Sequence, residues 1–289
     1  MNIFKVLSVS VLLVLLVACT EHEELSFQLD GKILTAISDI YQYDLKLKKE
    51  TLFYKEKSLG SGIMSISYYD DEHIIYGTIT KTIKKLNLKT KLSKEIGFGM
   101  NPFCIPSKRI LYFFNSKNID SDITLWKANY DSLDSAKKIL SLGKRFEGYS
   151  TTKIVQISDS TIVLTNKDEE LVIININNNK IKKTPFKYYH PIFYDDICSL
   201  LYCYSTKSDW TTYKIDMLKE KVSEIDLHIE GNALYVKKYH AAIFAKARIS
   251  LKYGETGDLM INFLHNDNSY EILERTRFNQ GIYFAETIF

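Results

Sequence analysis

Apolar and polar positions along this chain fall into a pattern that repeats. An apolar residue, then Asp or Asn, then another apolar residue recurs as Tyr43-Asp44-Leu45, Leu86-Asn87-Leu88, Ala128-Asn129-Tyr130, Ile174-Asn175-Ile176, Ile215-Asp216-Met217 and Ile261-Asn262-Phe263, at intervals of 41 to 46 residues. Each copy follows a short, strongly apolar run rich in β-forming residues, at 33–37, 74–79, 110–114, 161–165, 199–204 and 241–245. Such runs are what strands covered on both faces look like. Turn-like clusters such as Asp30-Gly31, Asp70-Asp71-Glu72, Ser107-Lys108-Arg109 and Asp159-Ser160 lead into them, so a hairpin is repeated as well. After the Asp or Asn comes a Lys-rich or Asn-rich turn and then a more polar strand, at 50–54, 92–96, 137–140, 181–185, 222–227 and 270–273.

Four strands per unit, the outermost most polar, predict an all-β fold: a β-propeller of six four-stranded blades, with seven as the alternative, depending on how the ends are counted. The spacing is long for the coil of a β-solenoid and suits a propeller blade of about 40 to 50 residues. A ring must close, because an open edge strand invites pairing with other chains. The terminal run 281–289 stands where the first strand of a further blade would come and is expected to complete the blade begun by residues 25–54; residues 25–29 compete for that role.

The first unit carries Asp30-Gly31-Lys32-Ile33-Leu34 followed by Ile40-Tyr41-Gln42-Tyr43-Asp44-Leu45. A turn, an apolar strand and an Ile-x-x-Tyr-Asp-Leu strand resemble the blades of TolB-like and related bacterial propellers. The likeness spans residues 25–289 but is loose: only the first unit has Asp-Gly, and the last has Asp258 where Ile40 would stand.

The N-terminus has a different character. One charge, Lys5, precedes an apolar stretch from Val6 to Val17, which is too short to span a bilayer comfortably and has the build of a secretory signal. Leu16-Val17-Ala18-Cys19 resembles the lipobox of bacterial lipoproteins. The resemblance implies a signal peptide over 1–18, cleavage before Cys19, a diacylglycerol on the Cys19 thiol and an acyl chain such as palmitate on the new amino group. Two or more chains anchor a soluble domain stably. Residues 19–24 are then a short tether to a domain over 25–289, and Thr20 in place of the Asp that commonly retains such proteins in the inner membrane implies the outer membrane.

Composition narrows the partners more than it names them. A formal charge of +3 over 289 residues implies neither nucleic acid nor a strongly acidic substrate, and 45% hydrophobic with 13% aromatic residues supplies a large core. Cys104, Cys198 and Cys203 are an odd set, which excludes a complete disulfide framework; Cys198 and Cys203, five apart in a strand-like run, point to opposite faces. We read all three as small buried side chains, with one disulfide possible and not required. No Gly-x-Ser-x-Gly elbow, P-loop, His-Glu-x-x-His or Cys-x-x-Cys occurs, so no catalytic residue, cofactor or metal ligand is assigned. The six histidines are scattered over different repeats, and Asp70-Asp71, Asp195-Asp196 and Glu169-Glu170 read most simply as turn formers. Lysine clusters, Lys84-Lys85 and Lys237-Lys238 among them, read as edge protection.

Propellers bind with the loops that join the last strand of one blade to the first of the next, and the second strand to the third. Those segments hold Phe98 and Phe103, Arg145, Phe146 and Tyr149, Tyr188, Tyr189 and His190, Trp210, and Tyr253 within an insertion over 246–258. Aromatics and Arg are the residue types that most often anchor interfaces. The expectation is a membrane-anchored recognition module for an envelope protein partner, either a scaffold for envelope assembly or an immunity lipoprotein against an envelope-directed toxin. The alternative is an enzyme or small-ligand binder with its site in the central channel, as in six-bladed lactonases, whose metal-ligand pattern is not traceable here residue by residue.

Overall fold

The computed structural model describes residues 29–57, 62–115, 122–129, 131–142, 153–208, 211–227, 229, 233–250, 254–265, 268–276 and 283–284. Blade 1 contains β1 (Lys32–Ile37), β2 (Asp39–Asp44) and β3 (Lys49–Tyr54); blade 2, β4 (Ile63–Asp70), β5 (His73–Thr78), β6 (Thr82–Asn87) and β7 (Ser93–Phe98). Blade 3 follows with β8 (Met100–Ile105), β9 (Ile110–Asn115), β10 (Thr124–Asn129) and β11 (Ser132–Ser141), and blade 4 with β12 (Val155–Ser158), β13 (Thr161–Thr165), β14 (Glu170–Asn175) and β15 (Ile181–Lys187). Blade 5 is β16 (Tyr189–Asp195), β17 (Leu200–Ser205), β18 (Thr212–Asp216) and β19 (Lys221–Ile225); blade 6 is β20 (Ala233–Val236), β21 (Ala241–Ser250), β22 (Gly254–Phe263) and β23 (Asn268–Thr276). The last strand, β24 (Tyr283–Phe284), pairs antiparallel with β1, Ala36 opposite Tyr283 and Thr35 opposite Phe284, and makes blade 1 four-stranded. It lies against both β20 and β4, so the C-terminus closes a ring of six blades.

Why the second strands are apolar without a break is visible in the packing. Successive side chains on a strand point to opposite faces, and here both faces meet a neighbouring blade. Ile74 and Tyr76 pack toward blade 1 while Ile75 packs toward blade 3. Leu111 and Phe113 pack toward blade 2, and Tyr112 and Phe114 toward blade 4. Ile162 and Leu164 face blade 3 and Val163 faces blade 5, where Leu201 and Cys203 meet it; Tyr202 turns to blade 6. The outer strands run mostly exposed, as in β7 and β19.

In blades 1, 2, 4 and 5 the repeated Asp or Asn ends the third strand by an Asx turn, in which a side-chain oxygen takes backbone N–H groups two or three residues on. Asp44 Oδ1 accepts from Leu47; Asn87 Oδ1 from Lys89 and Thr90; Asn175 Oδ1 from Asn177 and Asn178; Asp216 Oδ1 from Leu218 and Lys219. Four residues after each, Lys48, Lys91, Asn179 and Glu220 take the left-handed conformation, with φ between 49° and 58°, and turn the chain into the outer strand.

Three expectations need correction. Cys104 and Cys203 are buried free thiols, but Cys198 is exposed, because it sits in the turn after β16 rather than in β17. The 246–258 insertion is not a loop: β21 and β22 continue their ladder through Lys246↔Asp258, Arg248↔Thr256 and Ser250↔Gly254, a hairpin arm extending blade 6 by four or five residue pairs, roughly 15 Å. Lys84 is no edge lysine. It lies on the third strand and binds the 3%-exposed carboxylate of Glu56 at 2.9 Å, a buried pair that Tyr76 joins at 2.6 Å between blades 1 and 2.

Candidate functional site

The loops joining blades and the turns between second and third strands do gather at one end of the ring, because they hydrogen-bond to each other. Gly99 N–H donates to Lys81 O, and Ile79 N–H to Gly62 O. Tyr188 N–H donates to Glu169 O in the turn of blade 4, and Tyr188 O accepts from Thr206 N–H in the turn of blade 5. Tyr188 holds φ at 70°, an uncommon conformation for a bulky residue. These two bonds fix it, and Lys207 Nζ sits 3.5 Å from its ring centroid, a cation–π contact.

Tyr189 is half-buried and meets Tyr213 edge-on at 5.3 Å. Burial, then the neighbouring Tyr213 and Cys203, raises its hydroxyl above the ordinary range. His190 stands directly across the β16–β17 ladder from Tyr204, with the rings parallel to within 9° and 4.9 Å apart. Its Nε2 is buried with no hydrogen-bond partner, and burial pushes its pKa down to about 4, so the ring is neutral at pH 7. Close to Tyr188, Lys183 and then Asn166 hold the Glu170 carboxyl down to about 2. Tyr188, Tyr189 and His190 thus come together. Arg145, Phe146, Tyr149, Trp210 and Tyr253 lie outside the described residues, as do Cys19 and the signal segment. Phe103 is 7% exposed and belongs to the core between blades 3 and 4, whereas Phe98 is 52% exposed. At the same end blade 2 also exposes Met64 and Ile79.

A cavity of about 410 Å³ is walled by the first strands β4, β8, β12, β16 and β20. Three of its charged groups are satisfied within the wall. Lys153 Nζ donates to Ala233 O at 2.9 Å, and Asp196 pairs with Lys237. Asn101 stands near the start of β8, while Asp159 and Asp196 lie just past the ends of β12 and β16, so amide and acids occupy opposite mouths. Among the described residues no histidine lines the cavity.

At the opposite end of the ring, the turn after β16 and the turn after β20 bring Asp195, Cys198 and His240 together. Asp195 Oδ1 accepts from the N–H of Ile197 and Cys198 and from the Tyr235 hydroxyl, while Oδ2 lies 2.9 Å from His240 Nε2. Cys198 Sγ lies 3.8 Å from that same nitrogen. Burial alone would raise the Asp195 carboxyl; the His240, Cys198 and Tyr235 bonds outweigh it and hold it below the carboxylate range. Partial desolvation, then Asp195, raises the Cys198 thiol. A nucleophilic relay needs its acid and its thiol on opposite ring nitrogens, and here both crowd one. The sequence reading took Asp195 as a turn former and Cys198 as a buried residue of a strand-like run, left His240 among the scattered histidines, and missed their convergence. The available signal was the repeat register, which places the turn ending at Ser199 beside the turn ending at His240, both left-handed.

No family model and no curated protein matches the chain. Solved structures do, at low identity. A chain of a nidogen/laminin complex matches with a TM-score of 0.62 and 10% identity, over 88% of this chain and 98% of that one. A structural genomics protein of unknown function from Bacteroides thetaiotaomicron matches at 0.51 and 11%, over 84% and 70%. An oligogalacturonate lyase in complex with manganese matches at 0.52 and 12%, over 82% and 70%. Together with the blade geometry they define the class: a six-bladed β-propeller.

Proposed function

We propose that this protein is an exported lipoprotein held to the outer membrane by acyl chains on Cys19, and that its propeller recognises a protein of the cell envelope through the end of the ring that carries Tyr188. Leu16-Val17-Ala18-Cys19, at the end of the apolar stretch, supports the anchor. The observation that carries the recognition reading is the cation–aromatic group of Tyr188 and Lys207, held rigid by two backbone bonds. A pre-ordered aromatic loses little entropy on binding. Exposed Phe98, Ile79 and Met64 on blade 2 add apolar contact at the same end, and the hairpin arm of blade 6 rises there too. The opposite end carries Leu47, Leu92, Ile197 and Leu218 on separate turn tips, a scatter that needs no partner. The similar nidogen/laminin chain comes from a complex between proteins.

The test places a photo-crosslinking residue at Tyr188 or at Leu218 in cells fed labelled fatty acid. Label is expected in the wild-type protein and not in Cys19→Ala, and one envelope protein is expected to cross-link from position 188 alone. Label retained by Cys19→Ala overturns the anchor; equal cross-linking from both positions, or none from 188, overturns the binding end.

A further inference from the structure

We propose that Asp195, Cys198 and His240 form a binding site for a zinc-type divalent cation that ties blade 5 to blade 6. The three donor atoms lie within 4.8 Å of one another. Oδ2 of Asp195 and Sγ of Cys198 stand 2.9 and 3.8 Å from Nε2 of His240, so one ion seated among them reaches all three with modest side-chain adjustment. Tetrahedral zinc takes Cys, His and Asp at about 2.0 to 2.3 Å. The orientation of the carboxylate argues for a built site. Two backbone N–H groups and the Tyr235 hydroxyl hold Oδ1, leaving Oδ2 directed at the other donors, as the partners of metal-bound carboxylates do.

The backbone is set as well. His240 takes the left-handed conformation at φ 46°, its N–H donates to Lys237 O, and its own carbonyl accepts from Leu264 N–H. Next to Leu264, His265 brings a second imidazole whose ring centroid is 6.5 Å from that of His240; it or water takes the fourth position. A thiolate, an imidazole and one carboxylate suit zinc, cobalt or nickel, and not calcium or magnesium, which require oxygen-rich shells. The site is separate from the recognition end, and neither reading depends on the other.

Cobalt serves as the probe, added to purified, fully reduced protein. The expected result is one equivalent bound, with a thiolate-to-cobalt charge-transfer band that disappears in Cys198→Ala and drops at least tenfold in apparent affinity in His240→Gln. Cys198 is exposed, so its variant folds; unchanged thermal unfolding without metal confirms this. Zinc is expected to raise the melting temperature of the wild type and not of Cys198→Ala. Absence of the band in wild type whose Cys198 thiol is shown to be free, or its persistence in Cys198→Ala, overturns the proposal.

Discussion

Removing residues 281–289 is expected to lower the melting temperature by on the order of 10 °C and to make the domain self-associate. The reasoning starts from β1. Ile33, Leu34, Thr35 and Ala36 are all within 1% of complete burial, and β24 is the strand that covers the inner edge of β1 and bridges β20 to β4. Without it, the first blade loses its innermost strand and that strand's contact with the sixth, and an apolar edge with unpaired backbone groups faces the channel. A core break of this kind costs about 4 kcal/mol, and each kcal/mol moves the midpoint of a domain this size by about 2–4 °C. Light scattering reports the association that an open edge promotes. A truncated protein that melts with the full chain and stays monomeric would show that the ring does not need this strand.

The second large effect is acid sensitivity from His190. Its folded pKa of about 4 lies below the 6.5 of a free imidazole, so as pH falls the unfolded chain takes the proton first. The stabilisation from keeping the ring neutral is complete above pH 6.5 and is lost as pH falls through the window down to about 4. At 1.36 kcal/mol per unit, the total is about 3 kcal/mol. His190→Phe keeps the stack on Tyr204 and replaces the unpaired Nε2 by carbon. Unfolding free energies from urea titrations at pH 7 and pH 4.5 are therefore expected to differ by about 2–3 kcal/mol less in the variant than in wild type. Equal acid losses in the two proteins would place the sensitivity elsewhere. Because His190 adjoins Tyr188 and Tyr189, acidification is also expected to loosen the recognition end before the rest of the ring.

Much of the fold was legible because its physics is local or strictly periodic. Strands buried on both faces must be apolar throughout, which made 74–79 and 161–165 stand out, and the Asx turns of blades 1, 2, 4 and 5 need an Asp or Asn at one register position. Closure by the C-terminus followed from counting strands. What escaped the sequence arises between blades. Glu56 reads as an ordinary linker acid and becomes buried only because Lys84 and Tyr76 of the next blade close over it. Asp195 and His240 are 45 residues apart and meet because adjacent blades set equivalent turns side by side. The hairpin arm of blade 6 was hidden by its Lys, Arg and Gly content, which resembles a loop until the ladder is seen. Phe98 and Phe103 looked alike in sequence, and only the position of the blade edge separates the exposed ring from the buried one.

The six-bladed ring presupposes that the first and last blades are joined by the final strand, and a cross-link between Ala36 and Tyr283 tests this directly. With Cys104, Cys198 and Cys203 replaced by serine or alanine, Ala36→Cys and Tyr283→Cys stand opposite one another across an antiparallel pair, close enough for a disulfide. Mild oxidation of the folded protein is expected to give a monomeric cross-linked band that migrates faster on a non-reducing gel, with neither single variant producing it. If the double variant stays reduced in the folded state, or links only between molecules, the ring is not closed by residues 283–284.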